Sequence, residues 1–146
     1  MKSLFKKICI ASDHAGFDLK EKIKDFLINK YVSIIDLGPF ENKSVDYPDY
    51  SYILVDKMKN NLDCIGILLC GTGIGMSIAA NRHSHIRAAL CSDEYMARLS
   101  RQHNDANVLV IGGRTTSLNS AKKIIDAFVS TEFEKGRHTK RLKKIS

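Results

Sequence analysis

Five short apolar runs recur along this chain: KICIAS (7–12), VSIIDLG (32–38), CIGILLC (64–70), IRAALCS (86–92) and VLVIGG (108–113). Each is almost continuous in aliphatic and β-branched residues, without the polar alternation of a half-exposed strand. That is the pattern of strands buried on both faces. Between the runs, apolar residues return at helical spacing, as in Leu19, Ile23, Phe26 and Leu27, and again in Ala121, Ile124, Ile125, Phe128 and Val129. Asp18 followed by Glu21 fits a capping box and predicts the start of the first helix there. Strand and helix in regular alternation predict an α/β fold: a single-domain, Rossmann-like three-layer sandwich over residues 1–146 with a five-stranded parallel sheet. The pattern does not fix the strand order.

In such a sheet the ligand sits outside the carboxyl ends of the strands. This collects candidate residues before any motif is considered. Asp13-His14 follows the first run, Cys70 and a glycine loop the third, Ser92-Asp93 the fourth, and Gly112-Gly113-Arg114 the fifth. The segment GPFENKSVDYPDY (38–50), after the second run, reads as the longest irregular stretch.

Composition changes this picture little. No apolar run approaches the roughly 18 residues of a membrane span, and the apolar stretch before Ser12-Asp13-His14 is too short for a signal peptide. A cytoplasmic protein is therefore expected. Cys9, Cys64, Cys70 and Cys91 form no C-x-x-C pair and read as reduced thiols. His83 and His85 lie two apart with no further ligand in register, so no metal site is expected, and the pair reads as loop surface. Charge matters more. The net charge of +7 points toward nucleic acid, but residues 135–146 hold six of the 23 basic residues and no acid, leaving 17 basic against 16 acidic groups elsewhere. Basicity confined to one tail argues against a nucleic-acid surface.

The chemistry concentrates in CGTGIG (70–75). It is not a Walker A loop, since no Lys-Ser or Lys-Thr follows the last glycine, and Met76 breaks a dinucleotide fingerprint. What remains is a strand-to-helix turn whose backbone N–H groups can face an anion. Cys70 stands at its lip, where a thiolate is favoured and can act as nucleophile or as general base. His14 falls at a strand's carboxyl end. His103 shares a helix face with Leu99, a place that suits either a structural histidine near a helix C-terminus or a catalytic one. Arg137 and Arg141 share a helical face, as a solvated end or as a phosphate clamp.

Asp13-His14, Asp46-Tyr47-Pro48, Cys70 to Gly75, Ser100 to Asp105 and Gly136-Arg137-His138 together resemble the type B ribose-5-phosphate isomerases, in order and over nearly the whole chain. The resemblance implies an aldose–ketose isomerase that interconverts ribose 5-phosphate and ribulose 5-phosphate with no metal or cofactor. It implies Cys70 as the base moving a proton between C2 and C1 and His103 as the proton donor in ring opening; the chemistry of such a proton transfer adds Thr72 Oγ as a proton relay. Asp13, His14, Gly71, Thr72, Gly73, Ile74, Gly75, Asn104, Arg114, Arg137 and Arg141 would contact the sugar phosphate. One branch of the family replaces the cysteine by a glutamate just after the last glycine; Met76 occupies that position here. The family also implies a homodimer or dimer of dimers with the site at the subunit interface. Isomerases of allose 6-phosphate and galactose 6-phosphate share the loop, which leaves sugar length open. A non-catalytic phospholigand module is the alternative from another class, and it requires an inert Cys70.

Overall fold

The computed structural model describes residues 2–30 and 33–145. The apolar runs become five parallel strands, β1 (Lys7–Ser12), β2 (Ile34–Asp36), β3 (Cys64–Cys70), β4 (Ala88–Leu90) and β5 (Val108–Gly112). They alternate with helices α1 (Phe17–Ile28), α2 (Tyr47–Met58), α3 (Ile74–Ala80), α4 (Glu94–Asn104) and α5 (Leu118–Ser130), and α6 (Arg137–Ile145) closes the chain. The sheet order is β2-β1-β3-β5-β4. The central strand β3 is buried along its whole length, as its unbroken apolar sequence requires. Its register places Ser12 opposite Leu69 and Cys70 opposite Gly112, so β1, β3 and β5 end at one level.

Side-chain alternation along the strands sorts the core into two layers. Ile8, Ile10, Ile67, Leu69, Leu109 and Ile111 face α1, α4 and α5, against Ile23, Ala97, Ile125 and Phe128. Cys9, Ala11, Leu68, Cys70 and Val110 face α2 and α3, against Leu54, Val55 and Met76. Each buried aliphatic or aromatic side chain contributes about 1.5–3 kcal/mol.

The edge strands are shorter than their apolar runs predict: β2 and β4 are three residues each. An edge strand pairs on one side only, so its ladder ends where one neighbour ends. Val32, in the predicted second strand, lies outside the described residues, as does Ser146 at the end of the basic tail. Cys91 falls just past β4 and is buried there. On the open side of β4, the Asn81 carboxamide accepts from the Ala88 N–H at 2.8 Å and donates to the Ala88 carbonyl at 3.0 Å.

The capping box does not form. Helix α1 starts at Phe17 after Gly16, with no side-chain cap, and Asp18 sits inside the first turn. Asp13 takes the role from further upstream, its Oδ1 accepting the Gly16 N–H at 3.0 Å. Glu21 pairs instead with Lys20 and Lys24. The irregular segment is shorter than predicted, because Tyr47 opens α2 with Pro48 in the first turn, where a missing N–H costs nothing. Its start is held by Lys20, which is fully buried and donates to Asp36 Oδ1 at 2.9 Å and to the Pro39 carbonyl at 2.9 Å. His83 and His85 are partly buried rather than free loop surface, and His85 Nε2 lies 2.9 Å from the Val55 carbonyl of α2.

Candidate active site

The carboxyl ends of β1, β3 and β5 enclose an open cavity of about 530 Å³ lined by Asp13, His14, Tyr47, Cys70, Gly71, Thr72, Ile74, Gly75 and Arg114. Cys70 ends β3 and is buried. Its sulfur accepts the Gly73 N–H at 3.2 Å, while Thr72 Oγ1 accepts the Ile74 N–H at 3.3 Å. Two of the loop's backbone donors are thus turned onto the loop's own side chains rather than outward, as an open anion nest would have them. The turn requires glycine at position 73, where φ is +83° and a Cβ would strike Leu90 Cδ1 at 2.5 Å.

The neighbours of Cys70 are fixed by backbone contacts between strand ends. The Gly113 N–H donates to the Cys70 carbonyl at 2.7 Å and the Arg114 N–H to the Gly71 carbonyl at 2.9 Å, so the Arg114 side chain starts beside the loop. Its guanidinium lies against Gly71, where an added Cβ would come within 3.2 Å of it. His14 Nδ1 is 3.2 Å from both the N and the O of Val45, which ties the segment after β2 to the cavity wall. One oxygen of Asp13 is committed to Gly16.

Tyr47 was not singled out as a site residue by the sequence, although the Asp46-Tyr47-Pro48 motif contains it. Its ring covers Gly75 so closely that a Cβ there would meet the ring at 2.6 Å. The readable signal was an aromatic opening the helix after β2, at the ligand end of the sheet. Asp93, by contrast, is a helix cap, its Oδ1 accepting the Met96 N–H at 2.8 Å.

The remaining predicted residues gather elsewhere. His103 and Asn104 occupy the last turn of α4, and Arg137 and Arg141 belong to α6, which packs on α4. Helix α4 runs back against the strands and ends before β5 begins. Val108 is opposite Gly66 and Gly112 opposite Cys70, so the two groups are separated by the length of β5, about 13 Å. They also face different layers, Cys70 toward α2 and α3, and α4 on the side of α5. Within one chain the structure therefore places the predicted residues in two separate groups, candidate half-sites. One holds the thiol, the glycine loop, Asp13, His14, Tyr47 and Arg114; the other holds His103, Asn104, Arg137 and Arg141.

His103, Glu134 and His138 place one potential metal-ligand atom each within 4.8 Å of one another, a grouping the sequence spacing did not reveal. The two imidazole rings are stacked, 14° from parallel with centroids 4.4 Å apart. Lone pairs in parallel planes run side by side and do not converge on one ion, so the arrangement is a stack and not a metal centre.

The sequence model of the ribose/galactose isomerase family matches residues 8–145. The chain belongs to this family. Ribose-5-phosphate isomerase B of Escherichia coli strain K12 is 46% identical over 142 residues, 97% of this chain and 95% of that protein. The crystal structure of a ribose 5-phosphate isomerase from Thermotoga maritima has a TM-score of 0.93 at 54% identity, covering 95% of this chain and 96% of that one. Ribose-5-phosphate isomerase B of Mycoplasma genitalium, crystallised with bound ribulose-5-phosphate, has a TM-score of 0.91 at 44% identity, covering 95% and 93% respectively. The fold expected of the family is the one found.

Proposed function

We propose that this chain is an aldose–ketose isomerase interconverting ribose 5-phosphate and ribulose 5-phosphate, with Cys70 as the base that moves the proton between C2 and C1. The observation that carries the reading is the Gly73 N–H fixed on the Cys70 sulfur at the mouth of a cavity that also holds Asp13, His14 and Arg114. Isomerisation removes a weakly acidic C–H proton beside a carbonyl and leaves an enediolate. A base must stand by the carbon while fixed donors meet the charge on oxygen. Cys70 is the first requirement, the N–H groups of the 71–75 loop that are not turned onto Cys70 and Thr72 are the second, and Thr72 Oγ1 relays the proton between oxygens.

Sugar 5-phosphates also need a proton donor for ring opening and a cationic anchor for the phosphate. His103 is assigned the first role and Arg137 and Arg141 the second, with Asn104 beside them and His14 and Arg114 closing the site from the thiol side. Because the two half-sites lie at opposite ends of β5, this chemistry requires a second copy of the chain, one supplying the thiol half and the other the His103 half. Ile74 and Ile78, on the rim of the thiol cavity, are 54% and 60% exposed, apolar surface that suits such a contact. The working unit is then a homodimer or a dimer of dimers, with no metal or cofactor in the reaction. Among the described residues no helix is long and apolar enough to cross a membrane; the cytoplasm is the proposed location.

The test is turnover of purified protein on ribose 5-phosphate, allose 6-phosphate and galactose 6-phosphate, with Cys70→Ala alongside. Preference for ribose 5-phosphate, lost in the variant, is the expected result. Preference for a six-carbon sugar would move the substrate and keep the mechanism. Near-wild-type turnover by Cys70→Ala would overturn the assignment of the base.

A further inference from the structure

We propose that His138 is a positioning residue for His103: its buried ring is the flat platform that sets the orientation in which His103 meets the sugar. This rests on the role given to His103 above. Among the described residues no hydrogen bond to a protein group holds the His103 ring. On the last turn of a helix, an imidazole without a partner samples several rotamers, and a proton donor must be held near one productive geometry. The contact that restrains it here is the stack on His138, 4.4 Å between centroids and 14° between planes.

The platform is built for the purpose by the chain around it. His138 is the only buried residue of α6 among those described. Its Nε2 lies 3.5 Å from Glu134 Oε2. Glu134 is itself tied to α4, its N–H donating to the Gln102 carbonyl at 3.1 Å, one residue before His103. Between Glu134 and the start of α6, Lys135 and Gly136 both adopt left-handed backbone, φ +62° and +55°, and turn the chain back over the end of α4. Burial, together with His103 and the guanidinium of Arg137, holds His138 below the ordinary histidine range, against the opposing pull of Glu134. The shift favours the neutral form of the platform ring over a second positive charge beside the proton donor.

The experiment compares His138→Ala and His138→Phe with wild type and with His103→Ala, using steady-state kinetics on ribose 5-phosphate and the NMR resonances of the His103 ring. His138→Ala is expected to lower kcat about tenfold with KM changed less than about twofold, and to move the His103 ring protons downfield as the ring current is lost. His138→Phe keeps an aromatic face, and is expected to restore most of kcat and the upfield shift. Wild-type kcat in His138→Ala, or equal loss in the Ala and Phe variants, would overturn the inference. Should His138→Ala not fold, Glu134→Ala removes only an exposed carboxylate and is expected to lower kcat about threefold; unchanged kcat there would count against the platform. His103→Ala separates the two levels. Full activity in it sinks the role of His103 itself, whereas inactivity beside a fully active His138→Ala leaves that role standing and removes the platform.

Discussion

The Gly73 N–H points at the Cys70 sulfur from 3.2 Å. The two residues are three apart, and the contact exists because Gly73 adopts φ +83°. Replacing Gly73 by alanine forces a Cβ toward Leu90 and the Ile111 backbone and strains the left-handed conformation. Gly73→Ala is expected to cost about 1–3 kcal/mol of stability. It should also lower kcat about a hundredfold, because the thiol loses its fixed place. Urea unfolding and steady-state kinetics on the same preparation would check both.

Gly75 and Tyr47 are expected to be coupled. Gly75→Ala drives a methyl into the Tyr47 ring and should lower kcat/KM about tenfold. Tyr47→Ala removes the clashing partner, so the double variant should lose less than the two single losses combined, with a coupling of about 0.5–3 kcal/mol. Strict additivity in the double-mutant cycle would show that the ring does not transmit the effect.

Separation of the half-sites predicts complementation between inactive chains. Cys70→Ala and His103→Ala should each be nearly inactive alone. Co-expressed, they form mixed dimers in which one of the two sites receives both intact residues. A random mixture should regain about a quarter of wild-type activity. No recovery from mixed dimers isolated with two affinity tags would count against sharing of residues between subunits.

Acid should weaken the fold through Asp36. Burial alone would raise its carboxyl, but hydrogen bonds from Lys24, the Gly38 N–H and Lys20 outweigh that and hold it below the ordinary value. A depressed carboxyl stabilises fully above its unfolded value of about 4, and this contribution is lost as pH falls through the folded value. Denaturant midpoints for wild type should fall over that window, and Asp36→Asn should flatten the dependence at the cost of lower stability near neutral pH. Lys20→Met leaves Asp36 with Lys24 and the Gly38 N–H, removes the donor to the Pro39 carbonyl, and is expected to destabilise by about 1–3 kcal/mol.

Much of this was readable from residues alone. The unbroken apolar runs identify inner strands, and the rule for ligands at strand ends places Asp13, His14, Cys70 and Arg114 together without a template. Other features were hidden because they depend on contacts distant in sequence. Asp18 and Glu21 satisfy the spacing of a cap, yet Asp13 holds the Gly16 N–H and Lys20 and Lys24 take Glu21. Chemistry is proposed for both His103 and Cys70, but only the sheet register shows that β5 separates them. Glu134 and His138 gain a role through the reversal at Lys135 and Gly136, a backbone conformation that composition does not announce.

The Asn81 carboxamide on Ala88 bears on how copies of this chain can meet. A sheet edge with free N–H and C=O groups is a template on which another chain's strand can grow. Here the open side of β4 is three residues long, and its Ala88 donor and acceptor are already satisfied by a side chain that imitates a neighbouring strand. The opposite edge, β2, is equally short. Growth of the sheet from molecule to molecule is limited at both edges by length, and at the β4 edge also by the side chain that occupies Ala88, so crowded chains are steered away from fibrous, strand-to-strand aggregation and toward association through their side-chain surfaces.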